Sequence, residues 1–206
     1  MNNDKVKELS KNYFNEQAEN YDNGHDGKFV KVLYDEIINR VIECNPKTIL
    51  DLGCGNGNIL IRLEKMTSAK LYGLDLSEKM VEIAAKRLNA NTQICIGDAE
   101  FLPYEDNSMD VVVCNASFHH YPNPVKVLQE IKRVLKRKGV LILGDPTAPA
   151  LYLKLTNPCL HYLNSGDFEI YSKKKIIKML NENGFETLNW HKVNYKTFII
   201  NAVPRT

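Results

Sequence analysis

No segment of the chain is long and uncharged enough to span a bilayer, so no membrane-crossing helix is expected. The first twenty residues are polar and mixed in charge, unlike a secretory leader. Net charge is only +2, from 27 Lys and Arg against 25 Asp and Glu, which is too little to argue for a nucleic-acid partner. The five cysteines (Cys44, Cys54, Cys95, Cys114 and Cys159) are odd in number and form no Cys-x-x-Cys pair. That excludes the usual signatures of a disulfide framework or a thiolate metal site, and free thiols in a reducing cytoplasm are expected. No metal ligand set, internal repeat or low-complexity tract stands out.

What is present fits one globular domain with a sizeable core: 206 residues, 44% hydrophobic and 25% charged. Residues 4–20 and 28–44 read as helices, the second with Phe29, Val32, Leu33, Ile37 and Val41 on one face. Asn23-Gly24-His25-Asp26-Gly27 between them has turn chemistry. Strands and helices then alternate. Strands are expected at 47–52, 69–75, 92–97, 110–115 and 140–144, and helices at 56–66, 77–89 and 123–137. Ser77 caps the second of these helices, and Pro124 opens the third, whose apolar face carries Leu128, Ile131 and Leu135. Several strands are apolar throughout, as in a parallel sheet covered on both faces. Residues 146–171, with three prolines and a Ser-Gly, break the pattern and read as an insertion over the sheet. A helix at 172–183, capped by Ser172 and stopped at Gly184, precedes two apolar runs, 185–193 and 196–203, placed to pair antiparallel.

The chemistry concentrates at strand ends, where open parallel sheets bind ligands. Asp51, Asp75, Asp98, Asn115 and Asp145 all stand there. Between the first strand and its helix lies Gly53-Cys54-Gly55-Asn56-Gly57, a loop able to adopt positive φ and let a ligand lie against the main chain. Asp75 follows the first glycine by twenty-two residues, a spacing that suits a carboxylate reaching a ribose. Nicotinamide dinucleotides use such an acid too, but their Gly-x-Gly-x-x-Gly fingerprint meets Asn58 at its third glycine.

Taken together the motifs resemble those of class I S-adenosylmethionine-dependent methyltransferases of the small-molecule, quinone-biosynthesis-like group. The likeness covers about residues 13–145. It rests on Ile49 to Gly57, on Gly73-Leu74-Asp75-Leu76-Ser77 with Met80, and on Gly97-Asp98-Ala99-Glu100 with Leu102-Pro103-Tyr104 and Ser108-Met109-Asp110. Val112 to Ala116 followed by His119-His120, and Phe14 with Ala18 to Asp22, complete it. In place of the family's Lys-Pro-Gly-Gly this chain has Lys136-Arg137-Lys138-Gly139. The basic run of Lys132, Arg133, Lys136, Arg137 and Lys138 reads as a solvated helix end.

The resemblance implies a Rossmann-like, doubly wound, mostly parallel seven-stranded sheet in the order 3-2-1-4-5-7-6 with the last strand antiparallel. Residues 1–45 would form N-terminal helices and a lid, 46–145 the cofactor core, 146–171 a substrate cap, and 172–206 a final helix and hairpin. S-adenosylmethionine would be the cofactor and S-adenosylhomocysteine the product. Gly53, Cys54, Gly55, Gly57 and Asn58 would follow its methionine part, with Asp51 orienting the loop or the ammonium and Tyr21 closing over the carboxylate. Asp75 would take the ribose hydroxyls, and Leu76 and Met80 would pack on the adenine. Gly97, Asp98 and Ala99 would meet the adenine edge, and Asn115 and Ala116 the amino-acid end.

Methyl transfer is an in-line displacement, so a shaped, dry pocket does most of the work and no loud catalytic signature is required. His120, with His119 beside it, is the expected substrate-facing group, by analogy with the family. Asp145 and His161 are further candidates. Tyr152, His161, Tyr162, Phe168 and Tyr171 are expected to enclose a small-molecule acceptor whose attacking atom is O, N or C. Asn115-Ala116-Ser117-Phe118 lacks the Asn-Pro-Pro-aromatic loop of base-amino methyltransferases, against a nucleic-acid substrate. The expected protein is a cytoplasmic monomer or homodimer. A nicotinamide-dependent oxidoreductase and a non-catalytic S-adenosylmethionine-binding protein are the alternatives.

Overall fold

The computed structural model describes residues 2–160, 163 and 165–205. One sheet organises them. Its strands are β1 (Thr48–Leu52), β2 (Lys70–Asp75), β3 (Gln93–Ile96), β4 (Met109–Asn115), β5 (Leu135–Pro146), β6 (Phe185–Thr187), β7 (His191–Lys192) and β8 (Thr197–Pro204). The order is β3-β2-β1-β4-β5-β8-β6, with β7 also paired to β8. β1 to β5 are mutually parallel, and β8 runs antiparallel to β5, β6 and β7. Strand order reverses between β1 and β4, which opens a crevice at their carboxyl ends.

Side-chain alternation buries both faces. On one face Leu50, Leu52, Val112, Cys114, Leu141, Leu143, Phe198 and Ile200 meet Leu128 and Ile131 of α5 (Pro124–Val134) and Ile176 and Leu180 of α7 (Lys173–Glu182). On the other, Ile49, Val111, Val113, Ile142 and Ile199 meet Leu33, Ile37 and Val41 of α2 (His25–Glu43) and Leu60 and Leu63 of α3 (Asn58–Leu63). The remaining helices are α1 (Asn3–Gln17), α4 (Glu78–Arg87) and α6 (Ala150–Leu160), and a 3-10 segment, Ala18–Asn23, joins α1 to α2. No helix among the described residues is long and apolar enough to cross a membrane.

The sheet has eight strands rather than seven because the 185–193 run is interrupted. Thr187 pairs with Ala202 and His191 with Ile199, so four residues advance on one strand against three on the other. That one-residue bulge splits the run in two and makes the long antiparallel strand the eighth. The helix expected to reach 137 stops at Val134. The carbonyls of Arg133 and Val134 accept the Asn107 and Ser108 N–H groups, and Leu135 already pairs with Met109. The basic run is therefore not simply solvated. Arg133 donates to Glu130, Asp106 and the carbonyls of Leu102 and Tyr104, stapling the 101–106 loop to α5.

α2 begins at His25, inside the expected turn. Gly27 is helical and buried, and a Cβ there would lie 2.0 Å from the Tyr21 carbonyl oxygen, so that glycine serves close packing. Within α2, Val32 is 48% exposed, and Val30, Tyr34 and Ile38 take its place on the buried face. Ser77 and Ser172 cap α4 and α7 as expected, and Gly184 carries a positive φ past the end of α7.

Candidate active site

The glycine loop is fixed by the sheet. Gly53 and Cys54 both donate to the Leu74 carbonyl, at 2.8 and 3.1 Å. Gly53, Gly55 and Gly57 have φ of +75°, +52° and +84°. Their surroundings differ. A Cβ on Gly53 would lie 2.4 Å from Ser117 Cβ, and one on Gly57 would press on Ala84 and Leu88 at 3.3 Å. A Cβ on Gly55 would meet nothing within 4 Å, so the backbone at Gly55 lies open to a ligand.

Asp75 is locked by that loop. Its Oδ2 accepts the Gly55 N–H at 2.8 Å and its Oδ1 the Ser77 N–H at 2.9 Å. Burial pushes its carboxyl up, partly offset by these N–H groups. Each oxygen keeps acceptor capacity. Asp51 is 2% exposed, and burial followed by the Asp75 charge pushes it up to about 7. Among the described residues, Asp51 Oδ1 and Asn115 Oδ1 are buried without a hydrogen-bond partner. Both residues line a recess with Tyr21, Tyr34, Gly53, Cys54, Gly55 and Asn58. Buried orphan acceptors are costly, and a cationic or donor-bearing ligand would satisfy these. Tyr21 reaches the recess because Asp22 beside it accepts the Asn56 and Asn58 amides, while Arg87 donates to Asn58 Oδ1 and the Asn56 carbonyl.

A cleft continues past Asp75, lined by Leu76, Gly97, Asp98 and Ala99 on the sheet side and by Ser117 and Tyr121 beyond. Its outer wall is α1, through Lys7, Ser10, Lys11 and Phe14. Asn15 holds α1 there: its Oδ1 accepts Ser77 Oγ and the Lys79 N–H, and its amide donates to Glu78. Lys7 Nζ lies 2.7 Å from both Asp98 and Glu100.

A third cavity adjoins, lined by Phe14, Tyr21, Phe29, Val30, Ala116 and Ile170 among apolar groups and by His25, Asp26, His119, His120, Ser165 and Asp167 among polar ones. His119 Nδ1 lies 2.8 Å from Asp145 Oδ1, and its Nε2 lies 3.3 Å from Asp167 Oδ1. Burial pulls the His119 imidazole down, but Asp145 and Asp167 outweigh it and push it up to about 10. Burial and the neighbouring His119 push His120 down to about 4. Burial raises Asp167, but the His119 contact outweighs that and holds it well below the usual carboxylate range. His120 Nδ1 lies 3.1 Å from the Gly166 carbonyl oxygen, and the Phe14 ring stands edge-on to His120 with centroids 5.0 Å apart.

A family profile described as a methyltransferase domain matches residues 45–187. The chain belongs to that methyltransferase family. It is 33% identical over 211 aligned residues to a demethylmenaquinone methyltransferase of Thermotoga maritima, covering 88% of this chain and 90% of the relative. An Aquifex aeolicus SAM-dependent methyltransferase shares the fold at a TM-score of 0.69 and 23% identity, over 99% of both chains. A Haloferax volcanii protein solved with the Trm112 methyltransferase activator does so at 0.74 and 19%, over 94% of this chain and 98% of that one.

The methyltransferase is thus an S-adenosylmethionine-dependent enzyme acting on a small molecule, and the nicotinamide alternative is set aside. The site fits that donor. The open backbone at Gly55, the preset Asp75 carboxylate and the unsatisfied Asp51 and Asn115 oxygens lie along one crevice.

The sequence expectations are not all met at the same place. Tyr21, Asp51, Gly53, Cys54, Gly55, Asn58, Asp75, Leu76, Gly97, Asp98, Ala99 and Asn115 line the recess or the cleft. Gly57 faces α4 instead, and Met80 is buried with its N–H on Ser77 Oγ. Asn58 spends its amide on Asp22 and Tyr34. Ala116, with φ of +50°, lines the third cavity with His119 and His120. Of the aromatic enclosure, Tyr152 is 60% exposed and Tyr171 is buried against Phe118. His161 and Tyr162 lie outside the described residues. The aromatic walls come from Phe14, Tyr21 and Phe29 of the N-terminal helices. Lys7 and Asp167 were not foreseen. Lys7 lies on the polar N-terminal helix and Asp167 in an aperiodic loop, and neither belongs to a recognisable motif.

Proposed function

We propose that the enzyme methylates an apolar, ring-bearing small molecule at an O, N or C nucleophile, with the acceptor held in the third cavity. The observation that carries this reading is the position of His120 and Phe14, which line both the cleft and that cavity. The transferred group must pass beside that shared wall. Phe14, Tyr21, Phe29, Val30 and Ile170 supply apolar surface for the acceptor body. His120, with His119 and Asp167 behind it, receives the nucleophilic end. The Thermotoga maritima relative's name supports a menaquinone-like ring as the acceptor class.

The bound donor supplies a methyl group made electrophilic by its sulfonium. The chain's part is to hold the reactants. Asp75 takes the ribose hydroxyls, and Gly97, Asp98, Ala99 and Leu76 bound the adenine. Gly53, Gly55, Asp51, Asn115 and Tyr21 hold the amino-acid end, with Cys54 and Asn58 shaping the loop. Lys7 already occupies Asp98, so α1 shifts its lysine when an adenine amino group arrives. Positioning of this kind contributes ~7–11 kcal/mol in favourable cases, against about 10²–10⁴-fold for proton removal. We read the chain as a cytoplasmic monomer or homodimer that needs no nucleic acid.

The test is His120→Ala. Turnover of a demethylated quinol analogue should fall on the order of 100-fold or more, while S-adenosylhomocysteine affinity by calorimetry stays within about twofold. Unchanged turnover would remove His120 from the acceptor site.

A further inference from the structure

Four groups around the acceptor cavity are arranged as metal ligands with their supports. His119, His120 and Asp167 each offer a donor atom, and the three atoms lie within 4.8 Å of one another. Asp167 Oδ1 is 3.3 Å from His119 Nε2 and 3.4 Å from His120 Nδ1. A tetrahedral zinc with bonds of ~2.0–2.1 Å separates its ligand atoms by about 3.3–3.4 Å, so both spacings match edges of its coordination shell.

The outer shell is also present. His119 turns its other nitrogen to Asp145, 2.8 Å away, and Asp145 is fully buried with Oδ2 unpartnered among the described residues. A buried carboxylate behind a histidine is the usual device that fixes ring orientation and raises ligand basicity. The main chain holds the cluster together: Phe168 and Glu169 N–H groups both donate to the His119 carbonyl, at 2.9 and 3.0 Å. Three protein ligands beside a cavity leave a coordination position open, the pattern of catalytic rather than structural sites.

We propose that His119 through Nε2, His120 through Nδ1 and Asp167 through Oδ1 bind one first-row divalent cation, of the zinc, cobalt or iron(II) kind, with Asp145 as the outer-shell carboxylate of His119. The open position faces the acceptor cavity, where a hydroxyl or enolic oxygen of the acceptor completes the shell. This deepens the acceptor-site reading above and rests on it for what the ion does, though not for whether the ion binds. His120 then releases the Gly166 carbonyl and carries its remaining proton on Nε2.

The probe is Co²⁺ added to chelator-stripped protein, followed by its visible ligand-field bands, with Zn²⁺ as the displacing ion. Wild-type protein should take up one equivalent and lose the bands on adding Zn²⁺. Asp167→Asn and His119→Ala should weaken Co²⁺ binding by more than about 100-fold, and Asp145→Asn by about 10–100-fold. His191→Ala, an exposed histidine on β7, should leave it unchanged. A thermal shift with S-adenosylhomocysteine on the same samples checks that each variant is folded and reports on the cofactor site separately. Absence of bands in the wild type, or equal Co²⁺ affinity in wild type and Asp167→Asn, overturns the ion site while leaving the methyltransferase reading intact.

Discussion

The proposed cofactor side and the proposed acceptor side of this enzyme lie against the same sheet but are built differently. The sheet-side floor of the cofactor side comes from successive elements, β1, the glycine loop and the tips of β2 and β3, and α1 from the N-terminus closes it. Its key contacts span short separations, such as Gly55 to Asp75. The acceptor side is assembled from pieces far apart in sequence. Phe14 and Tyr21 come from the N-terminus, His119 and His120 from beyond β4, and Asp167 from the segment after α6. A short-range site has its geometry written in local spacing. A long-range site depends on how the whole chain closes, and it can vary without disturbing its neighbour.

The sharpest way to probe that contrast is within the glycine loop, where stability and ligand access separate. Gly53→Ala forces positive φ on alanine, at about 1–2 kcal/mol, and drives its Cβ into Ser117, at about 1–3 kcal/mol more. The expected loss of ~2–5 kcal/mol should lower Tm by roughly 5–15 °C. Gly55→Ala carries only the φ cost, about 1–2 kcal/mol, because nothing stands near its Cβ. It should melt only slightly early yet bind S-adenosylhomocysteine poorly. Differential scanning calorimetry beside isothermal titration decides it. Equal melting losses in the two variants would mean that the glycines are interchangeable.

Next in size is Asp75. Its two N–H partners survive in an Asp75→Ala variant without their acceptor. A charged hydrogen-bond acceptor is worth about 1.5–3 kcal/mol, so S-adenosylhomocysteine affinity should drop about 10- to 100-fold. Turnover at saturating cofactor should suffer less than in His120→Ala. An intact affinity would show that the cofactor side does not rest on this carboxylate.

Much of the cofactor side was legible because strand ends and glycine spacing are local signals. Asp51, Asp75, Asn115 and the loop could be located by counting residues. Counting does not reveal that a Cβ on Gly57 would press on Ala84 and Leu88, twenty-seven and thirty-one residues on, because the direction a glycine faces depends on such distant neighbours. Asp167 was illegible for a stronger reason. It sits in an aperiodic loop whose position is set by Phe168 and Glu169 N–H groups reaching the His119 carbonyl. Gly166 beside it packs on Ser10, where a Cβ would lie 2.4 Å from the Ser10 Cα, a contact spanning most of the chain. The aromatic residues of 146–171 had the right composition for an enclosure, yet Tyr171 fills the core and Tyr152 faces solvent. Composition names a segment's chemistry but not the direction its side chains take.

The smallest expected effect is also the most diagnostic of why Asp51 is buried. Its carboxyl stands at about 7 in the cofactor-free protein, pushed up by burial and by Asp75. The folded state therefore binds a proton that the unfolded chain releases near ~3.9, and stability falls as pH rises through that window to about 7. A cationic ammonium beside Asp51 favours its ionised form, so binding should expel this proton. S-adenosylhomocysteine affinity should then rise by up to about tenfold between pH 6 and pH 8. Calorimetry at pH 6 in buffers of different ionisation enthalpy should register a proton leaving on binding. In Asp51→Asn both the pH slope and the proton release should vanish, and the cofactor-free protein should lose its decline in stability toward pH 7. A slope that persists in the Asn variant would assign the proton to another group, and the orphaned oxygen of Asp51 would then need a partner other than the cofactor.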